Sequence, residues 1–258
     1  MQKGVAVMGP GELRVYRNQE ELAQGLADFF AATARSSVND HGAFHVALSG
    51  GQTPRPAYEL LGREPWRSAI PWNETFIYFG DERCVPPTDE RSNYAMVEKA
   101  FLDAIGLPPQ NVHRIRGEVD PGIAANEYAT LLRTDLGGAP HFDLVLLGVG
   151  EDGHTASLFR GTLPETEDQS LVRAVHVPSL DMWRVTMTPK VINLARAVAF
   201  AVAGSEKAKI LAEVLDGPRD PAKLPAQTVQ PVSGRLIWFV DEDAAALLRE
   251  KPGAESLA

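Results

Sequence analysis

The chain of 258 residues contains a single cysteine, Cys84. One cysteine cannot form a disulfide within the chain, and this scarcity is typical of proteins from a reducing cytosol. The first residues lack the basic and apolar regions of a secretion signal. No apolar stretch approaches the roughly 20 residues that a membrane-spanning helix requires. We therefore expect a cytoplasmic globular protein with no membrane partner.

Basic residues are also in the minority, because 25 Lys and Arg stand against 34 Asp and Glu and give a formal net charge of −9. Nucleic acids and anionic membranes bind basic surfaces, so neither is an expected partner. An anionic metabolite would need locally placed Arg, Lys or helix N-termini. No cysteine–histidine cluster has the spacing of a zinc site.

Apolar periodicity predicts strands that alternate with helices. The predicted strands cover residues 44–48, 75–79, 142–147, 172–177, 184–188, 197–203 and 235–240. The predicted helices cover residues 19–37, 53–61, 92–105, 121–136, 189–195, 204–215 and 242–250. The first strand therefore begins near residue 43, after one helix. This alternation predicts an α/β fold with a doubly wound, mostly parallel sheet flanked by helices, and the absence of a linker predicts a single domain over residues 1–258.

Three polar loops follow predicted strands, at Ser49–Thr53, Asp81–Arg83 and Gly150–His154. In a doubly wound sheet the carboxyl ends of the strands share one edge, where ligands bind. We therefore expect the three loops to meet.

The first loop places Gly50 and Gly51 before a helix that we expect Thr53 to cap, with Pro54 at the first helical position. Backbone N–H groups and the helix dipole at such a place favour phosphate. A tight strand–helix turn explains the same residues without a ligand. The glycine pair alone does not decide between the two.

The second loop carries Asp81, Glu82 and Arg83, and a solvated turn held by ion pairs accounts for these charges when they are taken alone. The neighbouring Cys84 has no identified basic partner to lower its pKa. We interpret it as a packed residue and not as a nucleophile.

The third loop carries His154 with Asp152 nearby. A neutral imidazole can accept a proton from water near neutral pH, and a carboxylate can orient the ring. A histidine that only caps the loop is the simpler alternative. The loop also fits the G-x-G-x-x-G pattern of dinucleotide sites, but its own Glu151 and Asp152 would repel a pyrophosphate. Nicotinamide binding is therefore disfavoured.

Together these segments resemble the 6-phosphogluconolactonase family, from about residue 20 to about residue 245. The resemblance rests on SGGQTP (49–54), FGDER (79–83), SNY (92–94), GVGEDGHTASLF (148–159), RVTMT (184–188), LPA (224–226) and WFVDEDAA (238–245). The chain departs from the family pattern at Gln52, Arg55 and Arg160, where Ser or Thr, Lys and Pro are usual. None of these changes removes the histidine.

The resemblance implies an enzyme that hydrolyses 6-phospho-D-glucono-1,5-lactone to 6-phosphogluconate in the oxidative pentose phosphate pathway, without a metal or cofactor. It implies that His154 is the general base, that Asp152 orients it and that Arg83 contacts the substrate anion or the developing oxyanion. Substrate binding is implied for Gly50, Gly51, Thr53, Asp81, Arg184 and Lys207. The partner would be a small sugar-phosphate lactone, and the protein a monomer or small homo-oligomer.

Two alternatives remain. A glucosamine-6-phosphate deaminase/isomerase would share the fold and the glycine loop, and Asp81 could serve as the base for its carbon acid. The Asn-Glu-Pro sequence of that family is absent after the histidine segment, where Leu158 to Thr162 carry no carboxylate. A non-catalytic sugar-phosphate sensor is less favoured, because a single helix before residue 43 leaves no room for a DNA-binding element.

Overall fold

The computed structural model describes residues 4–8, 11–163 and 169–249. Eleven strands are present in these ranges. In chain order they are β1 (Gly4–Met8), β2 (Gly11–Tyr16), β3 (Phe44–Leu48), β4 (Thr75–Phe79), β5 (Asp81–Arg83), β6 (Val112–His113), β7 (Leu144–Leu147), β8 (Val172–Val177), β9 (Met182–Met187), β10 (Ala197–Val202) and β11 (Arg235–Asp241).

The α-helical segments of the same ranges are α1 (Gln19–His41), α2 (Arg55–Leu61), α3 (Trp66–Ala69), α4 (Asn93–Val97), α5 (Asp103–Ile105), α6 (Pro121–Leu136), α7 (Pro189–Ile192) and α8 (Ala208–Asp216). A wider helical turn, Glu98–Leu102, joins α4 to α5, so the helix predicted over 92–105 is continuous. Among the described residues, none of the helices has the length and apolar character needed to span a bilayer.

Eight strands form one sheet in the order β1-β2-β11-β10-β7-β3-β4-β6. Only the β1–β2 pairing is antiparallel, and the other pairings are parallel. Every residue of β7 and β10 is buried, as expected for parallel strands that are covered on both faces. The predicted doubly wound α/β fold is therefore confirmed.

The direction of winding reverses between β3 and β7. From β3 the chain continues to β4 and β6 on one side, and then returns to place β7, β10 and β11 on the other. Ligands of doubly wound folds bind outside the carboxyl ends of the strands at such a reversal. The glycine loop (Ser49–Thr53), after β3, and the histidine loop (Gly150–His154), after β7, both leave the sheet at this point.

A second sheet of three antiparallel strands, β5-β9-β8, stands apart from the first. It contains two strands that the sequence analysis predicted, 172–177 and 184–188, and one segment that it interpreted as a turn, Asp81–Arg83. In this small sheet Asp81 pairs with Thr186, Glu82 with Val185 and Arg83 with Arg184. The charged residues 81–83 are thus held by a ladder of backbone hydrogen bonds.

The prediction that the first strand begins near residue 43 is wrong, because the β1–β2 hairpin precedes α1. Its strand β2 alternates buried and less buried residues over only six positions and joins the sheet through β11. So short an alternation, next to an N-terminus rich in glycine, gives a weak sequence pattern.

The helix predicted over 242–250 is also wrong over residues 242–249, and residue 250 lies outside the described residues. The chain forms turns there, with Ala246 N–H donating to Asp243 O and Leu248 N–H to Ala245 O, three residues back in each case. The carboxylate of Asp241 accepts hydrogen bonds from Ala244 N and Gly204 N. The segment is therefore tied to the β10 end and does not continue as a regular helix.

Candidate active site

The three predicted loops meet in a cleft of about 350 Å³ at the carboxyl ends of the strands. Eight of the nine predicted site residues line it, and the ninth, Asp152, is hydrogen-bonded to His154 at its wall. The eight are Gly50, Gly51, Thr53, Asp81, Arg83, His154, Arg184 and Lys207.

A larger groove of about 810 Å³ lies between α1 and the strand residues of the main sheet. Its arginines already have acidic partners: Arg196 lies 3.3 Å from Asp143, and Arg235 lies 2.8 Å from Glu12. These residues flank the amino ends of β7, β10 and β11, opposite the edge where doubly wound sheets bind ligands. The smaller cleft is therefore the candidate active site.

Close packing fixes the glycine loop against the start of α4. A Cβ atom at Gly50 would overlap Oδ1 of Asn93, so no larger residue fits without a shift. The prediction that Thr53 caps the following helix is wrong, because α2 begins at Arg55, Pro54 is its N-cap and no side chain caps it. The Thr53 hydroxyl is not engaged in capping and lines the cleft.

Asp81 joins two of the loops to α4. Its Oδ2 accepts a hydrogen bond of 2.6 Å from the hydroxyl of Ser157, three residues after His154. Its Oδ1 accepts one of 3.0 Å from Nδ2 of Asn93, which also donates to the Asp81 carbonyl at 2.9 Å. The Asp81 side chain is buried, and two neutral donors hold its carboxylate.

Glu82, next to Asp81, is saturated by other contacts. Its carboxylate accepts hydrogen bonds from the backbone N–H groups of Arg83, Asn93 and Tyr94 and from the Ser92 hydroxyl. Burial raises the pKa of Glu82, against the opposing effect of these donors. The acceptor sits at the N-terminus of α4, where negative charge is favoured. Glu82 thus attaches β5 to α4 and has no role in the cleft.

The arginines Arg83 and Arg184 are direct partners across the β5–β9 ladder. The Nε atom of each is buried and has no hydrogen-bond partner among the described residues. Burial lowers the pKa of Arg184, Asp81 opposes that effect, and the charge of Arg83 adds to it. Two adjacent guanidinium groups with unused donors are suited to an anion with several oxygens.

His154 is held on two sides. Its Nδ1 lies 2.5 Å from Oδ1 of Asp152, and its ring stacks on Phe159 with centroids 4.1 Å apart. Burial alone would raise the pKa of Asp152, but the hydrogen bonds from His154 outweigh it and the pKa is lowered. The ionised carboxylate then keeps the proton on Nδ1, which leaves Nε2 as the acceptor in a side chain that lines the cleft.

Gly150 makes room for this ring. A Cβ atom at Gly150 would overlap Cε1 and Nδ1 of His154, so a larger residue at this position would displace the imidazole. Gly150 N–H also donates to the His154 carbonyl at 2.9 Å, which closes the turn.

Lys207 approaches from the opposite wall, in the 3-10 turn Ser205–Lys207 that leads into α8. The neighbouring Glu206 lines the cleft as well. Cys84 is half-buried, and burial with the nearby charge of Glu82 raises the pKa of its thiol to about 11, which agrees with its interpretation as a packed residue.

Sequence reasoning gave no role to Asn93 or Ser157, although both lie in segments that matched the family. The signal was present in the S-N-Y and A-S-L-F motifs, but nothing in their spacing shows that both side chains reach Asp81. The described residues contain no group of three or more His, Cys, Asp or Glu arranged to hold a metal ion.

The family model described as "Glucosamine-6-phosphate isomerases/6-phosphogluconolactonase" matches residues 17–238. The chain belongs to this family.

A 6-phosphogluconolactonase of Synechocystis sp. is 39% identical over 218 residues, which cover 83% of this chain and 88% of that protein. The solved 6-phosphogluconolactonase of Trypanosoma brucei is 27% identical with a TM-score of 0.80, over 93% of this chain and 98% of that one. A monomeric glucosamine-6-phosphate deaminase superposes with a TM-score of 0.77 at 21% identity, over 91% of this chain and 99% of that one. Members of both activities therefore share the fold, and the choice between them depends on the site.

Proposed function

We propose that the protein hydrolyses 6-phospho-D-glucono-1,5-lactone to 6-phosphogluconate, with His154 as the general base. The observation that carries this proposal is the Asp152–His154 pair, which leaves Nε2 of the imidazole as an acceptor at a cleft that also contains two arginines, each with a buried Nε–H that lacks a partner among the described residues. The relatives named 6-phosphogluconolactonase support the same reaction.

In the proposed reaction, Nε2 of His154 removes a proton from a water molecule as its oxygen attacks the lactone carbonyl carbon. The carbonyl oxygen becomes an oxyanion in the tetrahedral intermediate. When the intermediate collapses, the bond from that carbon to the ring oxygen breaks, and the imidazolium returns the proton to the departing oxygen. No covalent enzyme intermediate is needed.

Cations and amide donors supply the remaining stabilisation. Arg83 contacts the substrate anion or the developing oxyanion, and Arg184 and Lys207 are the further candidates for the phosphate. Gly50, Gly51 and Thr53 line the phosphate or sugar subsite through N–H groups and a hydroxyl. Asp81 belongs to the same subsite and holds its walls together through Asn93 and Ser157.

The general base and the oxyanion donors together supply enough rate acceleration for this reaction. A positioned general base contributes about 10²–10⁴-fold, and each oxyanion donor on the order of 10²–10³-fold. A δ-lactone is already an activated ester, so this acceleration reaches a useful rate without a metal. The proposed reaction is a step of the oxidative pentose phosphate pathway, to which we therefore assign the protein. A single domain over residues 1–258 and a cytoplasmic location remain predictions from the sequence.

The deaminase/isomerase alternative needs a free base that moves a proton between two sugar carbons. Asp81, its best candidate, accepts hydrogen bonds from Ser157 and Asn93 and is 4% exposed. Both oxygens of this carboxylate therefore already hold neighbouring side chains in place. The lactonase reading is therefore favoured over the deaminase reading.

A direct test supplies freshly generated 6-phosphogluconolactone and, in parallel, glucosamine 6-phosphate. We expect acid release from the first at a rate far above its spontaneous hydrolysis, and no ammonia from the second. Ammonia release without lactone hydrolysis would replace the proposed function by the deaminase reaction. Binding of either compound without turnover would favour the sensor.

A further inference from the structure

Two buried tyrosine side chains bind the backbone in the same way at the ends of two neighbouring strands of the sheet, β3 and β4. The Tyr58 hydroxyl, from α2, accepts a hydrogen bond from Ser49 N at 3.3 Å and donates to Ser49 O at 3.0 Å. The Tyr128 hydroxyl, from α6, accepts from Phe79 N at 2.8 Å and donates to Phe79 O at 3.1 Å. Each hydroxyl therefore satisfies both backbone groups of one residue at a strand end.

Both hydroxyls stand where a neighbouring strand has stopped. The β4–β6 ladder ends with Tyr78 opposite His113, so β6 does not reach Phe79. The β3–β7 ladder ends with Ala47 opposite Val145, before Ser49. Backbone groups buried at these positions need other partners, because an unpaired buried N–H or C=O is costly. A tyrosine hydroxyl can both donate and accept, and so replaces the missing strand at one residue.

The candidate active site begins one residue beyond each contact. Ser49 is followed by the Gly50–Thr53 loop, and Phe79 is followed by Gly80 and then β5, which carries Asp81 and Arg83. A hydrogen bond of 2.9 Å from Gly80 N to Leu48 O joins the two strand ends to each other. The points where both loops leave the sheet are therefore fixed by one backbone bond and two tyrosine hydroxyls.

The two side chains are 0% and 2% exposed, so neither can contact a ligand in the cleft. Burial raises the pKa of both Tyr58 and Tyr128, which keeps their hydroxyls protonated and able to donate. Both hydroxyls therefore remain donors at neutral pH.

We propose that Tyr58 and Tyr128 are positioning residues of the active site, each of which sets the geometry of one loop. Tyr58 holds the start of the glycine loop that lines the anion subsite, and Tyr128 holds the end of β4, from which the chain continues through Gly80 into β5 with Arg83. The inference rests on the proposed function for its kinetic consequences, while its structural part stands on the backbone contacts alone.

The kinetic test uses Tyr58→Phe and Tyr128→Phe, which delete one hydroxyl each and keep the ring. Binding of the phosphate is the same in ground and transition states, so Tyr58→Phe should raise KM with little change in kcat. As a donor to the developing oxyanion, Arg83 acts in the transition state, so its displacement in Tyr128→Phe should lower kcat. Small misplacements cost up to roughly 10²-fold in rate, and we expect losses in kcat/KM of about 10-fold or more.

Tyr78→Phe is the matched control. Tyr78 is also fully buried and lies beside Phe79 in β4, but its hydroxyl contacts Nδ1 of His45 at 3.3 Å and Oδ2 of Asp135 at 3.4 Å. Its loss should lower the thermal midpoint without a change in KM or kcat. Equal kinetic effects in all three variants, or kinetic effects in none, would overturn the proposal, since a purely structural role predicts no split between KM and kcat.

Hydrogen exchange separates this proposal from the proposed function. Amide exchange measured by mass spectrometry should accelerate in the segment 49–54 of Tyr58→Phe and in the segment 79–84 of Tyr128→Phe, and in neither segment of the control. A wild-type protein without lactonase activity would refute the proposed function, yet the exchange pattern would still support the positioning. Unchanged exchange in both variants would refute the positioning, whatever the activity. The two variants test different loops, so a variant that fails to fold leaves the other decisive.

Discussion

Arg83 and Arg184 lie directly opposite each other in adjacent antiparallel strands. Like charges in such a pair destabilise a sheet. The Asp81 carboxylate is the acid closest to Arg184 in the described residues, at 3.9 Å, and Arg83 donates from Nη1 to the Arg91 carbonyl at 2.6 Å. Each of the two guanidinium groups nevertheless keeps a buried Nε–H without an acceptor among the described residues, which is an arrangement suited to an anionic ligand.

Replacement of Arg83 by methionine should separate activity from stability. We expect kcat/KM for the phosphorylated lactone to fall on the order of 10²-fold, because one donor to the anion or oxyanion is lost. The thermal midpoint should be unchanged or slightly higher, since a like-charge contact with Arg184 is removed. Arg91→Met is the control, because Arg91 is exposed and pairs with Asp89. Wild-type kinetics in the Arg83→Met variant would show that Arg83 has only a structural role.

His154→Ala should remove about 10²–10⁴-fold of kcat, the usual contribution of a general base. The fold should persist, because the ring is partly exposed and its main contacts are to Asp152 and Phe159. The loss of kcat is measured by following acid release with a pH indicator, and the persistence of the fold by circular dichroism. His176→Ala, at an exposed histidine paired with Asp181, should behave as wild type. Full turnover in His154→Ala would show that another group activates the water.

The location of the cleft could be predicted because it depends on local patterns. Buried apolar runs such as 75–79, followed by polar loops, identify strand ends, and the parallel sheet brings those ends together. His154 and Asp152 are two residues apart, so their contact is also local. This part of the site required no knowledge of tertiary contacts.

The partners of Asp81 could not be predicted in this way. Ser157 is 76 residues from Asp81 in sequence, and Asn93 is 12 residues away across a turn and a change of element. Their contacts follow from the position of β5 in a second sheet, which three charged residues do not indicate. For the same reason the sequence analysis interpreted Asp81 as part of a solvated turn, whereas its side chain is buried and accepts hydrogen bonds from Ser157 and Asn93.

Gly150→Ala tests the interpretation that this glycine exists for the histidine ring. The added methyl group overlaps Nδ1 and Cε1 of His154, so the ring must move away from Asp152 or out of the cleft. We expect kcat to fall nearly as far as in His154→Ala. Gly138→Ala is the matched control, because its Cβ atom would meet nothing within 4 Å. Wild-type kinetics in Gly150→Ala would mean that the ring position is not critical to turnover.

The stability of the fold should decline in mild acid because of two half-buried histidines, His45 and His113, that do not line the cleft. His45 stacks on Phe76 and His113 stacks on Tyr78, with ring centroids 4.8 Å and 4.5 Å apart. Burial lowers the pKa of His45 below its usual 6.5, Asp143 and Asp135 oppose this, and His41 and His113 add to it. Burial likewise lowers the pKa of His113, against Asp135.

A lowered histidine pKa means that the unfolded chain binds more protons than the native protein just below pH 6.5. The contribution of neutral His45 and His113 to stability is therefore complete above that pH and declines as the pH falls toward their native pKa values. The urea midpoint of the wild type should be lower at pH 5.5 than at pH 7.5. The double variant His45→Phe, His113→Phe keeps the stacked rings and should show a smaller decrease, whereas His176→Phe should not differ from the wild type. An identical pH dependence in the double variant would place the acid sensitivity elsewhere, in the carboxylates whose pKa values are lowered by their partners.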